Sequence, residues 1–307
     1  MLATLAGVGL LVILGWDRIG VPGGSERPEA TPGTSDADLA PPAVPEDPEL
    51  GRSGPGQAGG PGPFPDGTDT GPPAGIELQD VGPLLTSRDG QVIDGVRASG
   101  IEVRHSDVTI RNSRIDSTGI YGIVIPYRLR DQISGLVIED TEIVGISGQR
   151  SAGLAPFGSW TARRIEVRGF EDGVKVGSDQ LLEDSWIHSL YVPAGSHADA
   201  IQSVGGSNVT IRNNTIEGPW RGQTSAIIIQ SEVTGVSDYR IQGNRISGGT
   251  YSVYIRDKGN GHGAPRNMVI TDNTWVRGSY QFGPHSIDMG ANWTLRDNVY
   301  DDGTPLE

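Results

Sequence analysis

Eight stretches of the 307-residue chain, SDVTIRNSRI, SGLVIEDTEI, SWTARRIEV, DQLLEDSWI, SNVTIRNNTI, DYRIQGNRI, NMVITDNTW and NWTLRDNVY, align on two apolar positions five residues apart. The first position of each pair falls at Ile110, Ile138, Ala162, Leu182, Ile211, Ile241, Ile270 and Leu295. Successive copies therefore lie 28, 24, 20, 29, 30, 29 and 25 residues apart, about 26 on average. A period of that size marks stacked units, none of which buries its own apolar face alone. Within each copy β-branched residues alternate with polar ones, and Asn, Asp or Gly stand at the corners, so the units are built of short strands.

A second strand column follows each pair: YGIVI, AGLAP, DGVKV, DAIQS, SAIII, YSVYI and HSIDM, beginning at Tyr121, Ala152, Asp172, Asp199, Ser225, Tyr251 and His285. Strand alternation turns the third and fifth residues inward and the fourth (Val124, Ala155, Lys175, Gln202, Ile228, Tyr254, Asp288) outward. The predicted fold is all-β: a right-handed, single-stranded parallel β-helix of about eight or nine turns of about 26 residues, spanning 75–307. The stretch GIELQDVGPLLTSRDGQVIDGV is expected to cover its first edge, and the polar tail DDGTPLE its last.

Before residue 75 the chain is of another kind. Residues 19–74 are mostly Pro, Gly, Ala, Ser, Thr and acid, with almost nothing to bury, and read as a disordered linker or stalk. Its nine acids against Arg27 and Arg52 carry −7 of the net charge of −14. Residues 1–18 hold an uncharged apolar run, Leu2 to Gly15, closed by Trp16, Asp17 and Arg18. The run is short for a membrane span and lacks a basic start, so it reads as an export signal or a short anchor, with a membrane tether through residues 2–16 as one outcome. The expected location is secreted or extracytoplasmic. Acidity disfavours nucleic acid as a partner. The absence of cysteine excludes disulfides and thiolate metal sites.

The segments GQVIDGVRASG, SDVTIRNSRI, DGVKVG, HADAIQSVGGSNVTIRNNTIEG and ISGG, in this order, resemble the pectin-lyase-like superfamily of right-handed parallel β-helices. More narrowly, the chain is similar to secreted bacterial β-helix repeat proteins that carry H-x-D-G-I-Q where this sequence has HADAIQ, with Ala200 at the usual glycine. The resemblance covers roughly Gly75 to Gly303 and implies a polysaccharide partner. That superfamily holds lyases, hydrolases, epimerases, tailspikes and adhesins, so function must be argued from the site. The polygalacturonase set of motifs is not present.

The densest group of chemically capable residues runs from Asp172 to Arg256 on neighbouring turns of the second column. As catalytic candidates we take His197, Asp199, Asp172 and Lys175, and as substrate-binding candidates Gln202, Arg221, Tyr254, Arg256 and Trp220. A cation (Lys175, Arg221 or Arg256) neutralising a uronate carboxylate, a base such as His197, and Tyr254 or His188 as proton donor would support β-elimination, and the first two steps also serve epimerisation. Alternatively Asp172 and Asp199 act as the carboxylate pair of a glycoside hydrolase, or the surface binds glycan without catalysis. Asp172 and Asp199 can also be turn residues that serve the backbone, and Lys175 a solvated surface charge. His197 and Asp199 supply only two ligands, so no cofactor or metal centre is expected; calcium is the one ion in question. The sequons at Asn208, Asn213 and Asn292 are read as corner asparagines. The chain is expected to be a monomer.

Overall fold

The computed structural model describes residues 64–219 and 224–306, and the side chains of all of these except 147–150 and 156. The export-signal and most of the linker readings, together with Trp220 and Arg221, lie outside the described residues. Among those described, no helix is long and apolar enough to cross a membrane. The described chain is a parallel β-solenoid whose one helical element is a short 3-10 turn at Tyr127–Leu129.

The repeat deduced from the sequence is the ladder of the fold. Ile110 pairs with Ile138, Ile138 with Ala162, Ala162 with Leu182, Leu182 with Ile211, Ile211 with Ile241, Ile241 with Ile270 and Ile270 with Leu295, every pair parallel. Seven turns thus separate the eight anchors, and Ile93, paired with Ile110, adds one more before them. The segment from Gly75 to Val96 therefore builds the first rungs rather than covering them: Gln79 pairs with Val96 and Leu84 with Ile101. At the other end the tail folds back, with Pro305 bridging Val299 antiparallel and the Leu306 N–H donating to the Asn298 carbonyl.

Three columns form the wall, not two. Residues five apart on a straight strand face opposite sides, yet both anchors of each pair are buried, as in Ile110 and Ile115 or Ile211 and Ile216. The chain reconciles the two by bending between them. Asn112, Asp140, Arg164, Asp184, Asn213, Gly243, Asp272 and Asp297, each two residues after a first anchor, all have φ between 47° and 64°, the left-handed region that Asn, Asp and Gly enter at least cost. The bend passes each predicted pair from one column to the next: Ile110 with Ile115 and Ile138 with Ile143 stay within single bent strands, Thr109–Ser117 and Leu136–Pro156, and the other six pairs are divided between two strands.

Inside, isoleucine and valine stack turn on turn in one continuous core, closed at the C-terminal side by Trp275, which is buried as its anchor position requires. At the position after the bend residue the core carries polar side chains in the last four turns: Asn214, Asn244, Asn273 and Asn298 form a buried ladder. Asn214, Asn244 and Asn273 each donate Nδ2 to the Oδ1 of the next at 2.9, 2.9 and 3.0 Å, and all four donate to the carbonyl of a first anchor on the turn before. Buried amides are affordable only with such full pairing. The three sequon asparagines are corner residues with φ of 51–59°. Asn208 and Asn213 donate to Asp179 and Asp184 on the preceding turn, and Asn292 to Asn267.

The third column is the one the sequence read as its second: Asp172, Asp199, Ser225 and Tyr251 begin successive rungs, as predicted. Its last rung is displaced by two residues, since Tyr251 pairs with Gly283 and Val253 with His285. A slip of two leaves every side chain on its predicted face, which is why the apolar pattern could not expose it. Ala155, predicted outward, is 1% exposed, covered by its neighbours. Position two of this column is a row of small residues, Gly122, Gly153, Gly173, Ala200, Ala226 and Ser252. At Gly173 a Cβ would meet the Ala200 carbonyl and Ile187 Cγ2, each at 2.5 Å. Ala200 itself is accommodated at full burial, so this departure from the H-x-D-G-I-Q pattern fits the fold.

Residues 64–74, assigned to the linker from their composition, pack on the solenoid instead. The Pro65 carbonyl accepts from Thr215 Oγ1 at 2.6 Å, the Gly71 N–H donates to Arg164 O at 3.0 Å, and Gly67 lies against the Trp186 ring. Proline and glycine suit a strap that gains its partners from another element and needs no periodicity of its own.

Candidate active site on the third column

Parallel pairing stacks Lys175 on Gln202, and Gln202 in turn on Ile228 and Tyr254, along one outward row. Lys175 Nζ donates to Asp172 Oδ2 on its own turn at 2.6 Å and to Gln202 Oε1 on the next at 2.5 Å. The lysine side chain is 15% exposed and that of Asp172 7%, so the pair is half-sheltered rather than a solvated surface contact. Asp172 Oδ1 accepts the Asp199 N–H at 3.0 Å, and Asp199 Oδ1 accepts the Ser225 N–H at 2.7 Å. Both carboxylates thus serve the backbone, as turn aspartates do, but each serves the turn above instead of its own.

Asp199 is 1% exposed. Burial, and then the negative charge of Asp172, push its carboxyl well above the ordinary carboxylate range, against the opposing pull of the Ser225 N–H, Lys175 and Gln202. Two carboxyls one rung apart, about 4.8 Å along the axis, therefore sit differently: Asp172 is ion-paired to Lys175, and burial beside Asp172 favours the protonated form of Asp199.

Tyr254 and Arg256 form a separate group. Three rungs separate Tyr254 from Lys175, about 14 Å, too far for Tyr254 to protonate an oxygen of a sugar held at Lys175. Arg256 Cζ sits 4.7 Å above the Tyr254 ring centroid, and its guanidinium binds Asp288 Oδ1 at 2.5 Å and Ser286 Oγ. His197 is exposed and hydrogen-bonds to none of the described residues. Of the nine candidates, Asp172, Lys175, Asp199 and Gln202 are brought into contact, Tyr254 and Arg256 make a second contact pair, and Trp220 and Arg221 are outside the described residues.

No protein-family model matches the chain. No curated protein sequence matches it. Among solved structures it is similar to a mutant of the periplasmic alginate epimerase AlgG, at 15% identity over 68% of this chain and a TM-score of 0.49. It is also similar to the A-module of the Azotobacter vinelandii mannuronan C-5 epimerase AlgE4, at 16% identity over 72% of this chain and a TM-score of 0.49. A third similarity is to the lacto-N-biosidase of Eubacterium ramulus, at 10% identity over 73% of this chain, 45% of the other, and a TM-score of 0.37. The chain spans 50% and 62% of the two epimerase structures. The fold assignment rests on the ladders themselves.

Sequence reasoning missed Asp288 and Ser286 as partners of Arg256, because the two-residue slip of the last rung hid which residues stand beside it. It also placed His188 as a possible proton donor. His188 lies on the second column, stacked at 3.5 Å on Trp186, with Nε2 3.1 Å from Glu166 Oε1 and Nδ1 2.8 Å from Ser189 Oγ. Glu166 belongs to a charged network with Arg168, which also binds Glu142. Although burial acts to raise it, the Glu166 carboxyl is held below its ordinary range by His188 and Arg168. A cavity of about 290 Å³ opens on this column, between the strap and Trp186, Thr215, Glu217 and Arg245. It is away from the Lys175 row, and the convergence of acid, cation and amide there makes the third column the better candidate. Among the described residues no cluster of three or more His, Asp or Glu is set to hold a metal ion.

Proposed function

We propose that the chain is an exported protein acting on a polysaccharide along the outward face of the third column, where it moves a proton at a uronate residue in β-elimination or epimerisation. The observation that carries this reading is the seating of Lys175. The cation lies on the outward row between Asp172 and Gln202, one rung from Asp199, whose carboxyl burial pushes above the ordinary range. A uronate C5 proton becomes removable when the neighbouring carboxylate is neutralised, and Lys175 is the point charge that does this. Gln202 and Asp172 orient the ammonium. The exposed His197, two residues before Asp199, is the base in this scheme: it takes the C5 proton and, as imidazolium, returns it to the departing oxygen in elimination, while in epimerisation water reprotonates C5 from the opposite face. HADAIQ and its resemblance to secreted β-helix repeat proteins support the same partner class.

A hydrolase built on Asp172 and Asp199 is less well supported, because Lys175 bonds to the first, and the second is buried with Oδ1 engaged by the Ser225 N–H. A second reading, glycan binding without catalysis, is favoured by one observation: Lys175 and Arg256 each already carry an acid, Asp172 and Asp288.

The test is incubation of the full-length protein with uronate-containing and neutral polysaccharides, following ultraviolet absorbance of unsaturated ends, reducing ends, and solvent deuterium at C5. The expected result is unsaturated product or deuterium incorporation, lowered about 100-fold in His197→Ala and also lost in Lys175→Met. Reducing ends alone would move the activity to hydrolysis, and retained binding with no product would leave the second reading.

A further inference from the structure

The two rows that hold the Asp172, Lys175, Asp199 and Gln202 group continue into a cluster of aromatic rings. Through Ser225, the row of Asp199 reaches Tyr251, and through Ile228 the row of Gln202 reaches Tyr254. The two tyrosine rings lie 6.0 Å apart at 25°. Phe282 joins them from the following turn, its centroid 5.8 Å from Tyr251 and inclined by 51°. Its backbone is fixed by an N–H donated to the Thr250 carbonyl at 2.9 Å. Yet Phe282 is 66% exposed, the most exposed of the large apolar side chains described, and it stands where the polar rows end.

An aromatic surface with one exposed and two half-buried rings, bordered by a guanidinium, is the chemistry that receives the apolar face of a pyranose ring and the hydroxyls at its rim. We propose that Phe282, Tyr251 and Tyr254, with Arg256 lying over one face of Tyr254, form a remote sugar-binding subsite for the same glycan chain that reaches Lys175. The inference rests on the reading of this face as a polysaccharide site and adds its extent. Tyr254 is three rungs, about 14 Å, from Lys175, so a polymer engages both groups and a single sugar engages one. Remote binding of this kind holds the reacting residue in place and selects for long substrates.

The full-length protein and its Phe282→Ala and Phe282→Trp variants are compared by retardation in native gels containing alginate, polygalacturonate or a neutral β-glucan, and by turnover of long and short chains. Because Phe282 contributes little to the core, both variants should melt with the wild type. Phe282→Ala is expected to weaken polymer binding about three- to tenfold, and Phe282→Trp to restore retention. Loss of retardation in Phe282→Ala with no turnover by the wild type would keep the subsite and remove the proposed reaction. Turnover of long chains with Phe282→Ala matching the wild type, or no retardation of the wild type by any of the three polymers, would overturn the subsite.

Discussion

At the scale of single residues, Asp199 carries the most information. A carboxyl whose pKa is raised by folding binds its proton more tightly in the native state. Its contribution to stability is therefore complete below the ordinary carboxylate range and is lost as pH rises through the raised folded value. Asn at this position keeps an oxygen to accept the Ser225 N–H and cannot ionise. Asp199→Asn should melt like the wild type in acid and progressively above it toward neutral and alkaline pH; a melting difference that stays constant with pH would refute the buried protonated carboxyl. The presence of an aspartate two residues after a histidine was legible in HADAIQ. Its burial was not, because an acid at a strand start reads the same whether it faces water or the turn above.

At the scale of elements, the rungs of the solenoid are joined by side chains as well as by backbone. Asn244 donates to Ile211 O and Asn273 Oδ1 and accepts from the backbone and side chain of Asn214. Asn244→Ala takes the partner from the Ile211 carbonyl and from the Asn214 N–H and Nδ2, at about 1–3 kcal/mol for each left unpaired, while Asn273 Oδ1 keeps the Asn244 N–H. Asn298, at the end of the ladder, accepts from the backbone and side chain of Asn273 and donates to Ile270 O, but on the last turn, at 4% exposure against 0% for Asn244, the groups its loss strands lie nearer to water. Urea denaturation should show Asn244→Ala clearly less stable than Asn298→Ala, and equal costs would mean that the ladder does not act as a unit. The repeat made these elements readable, since the strands recur with the anchors. The bend between the anchors was less readable, because it depends on Asn, Asp, Gly and even Arg164 adopting positive φ, and no single residue type marks it.

For the whole molecule, the boundary between tail and solenoid has a testable consequence. A chain beginning at residue 64 keeps the Thr215–Pro65 and Gly71–Arg164 hydrogen bonds and the cover over Trp186. One beginning at residue 75 loses them and uncovers the side of the second column. The shorter chain should melt several degrees lower, which differential scanning calorimetry would detect; identical melting would mean the strap adds nothing. Its packing escaped the sequence because a Pro- and Gly-rich strap has neither period nor apolar pattern to reveal what lies beneath it.

The amino-acid sequence by itself determined the solenoid, its period, the register of its eight anchors and the inward and outward rows, because a stacked fold repeats one local solution and so writes it many times along the chain. Only the tertiary structure decided which chemical groups meet. Lys175 joins Asp172 and Gln202, Arg256 is neutralised by Asp288, and Phe282 completes an aromatic surface with Tyr251. Those encounters depend on contacts between turns some 26 to 32 residues apart in the chain, on slips of register that leave the apolar pattern unchanged, and on burial, none of which the order of residues along one turn records.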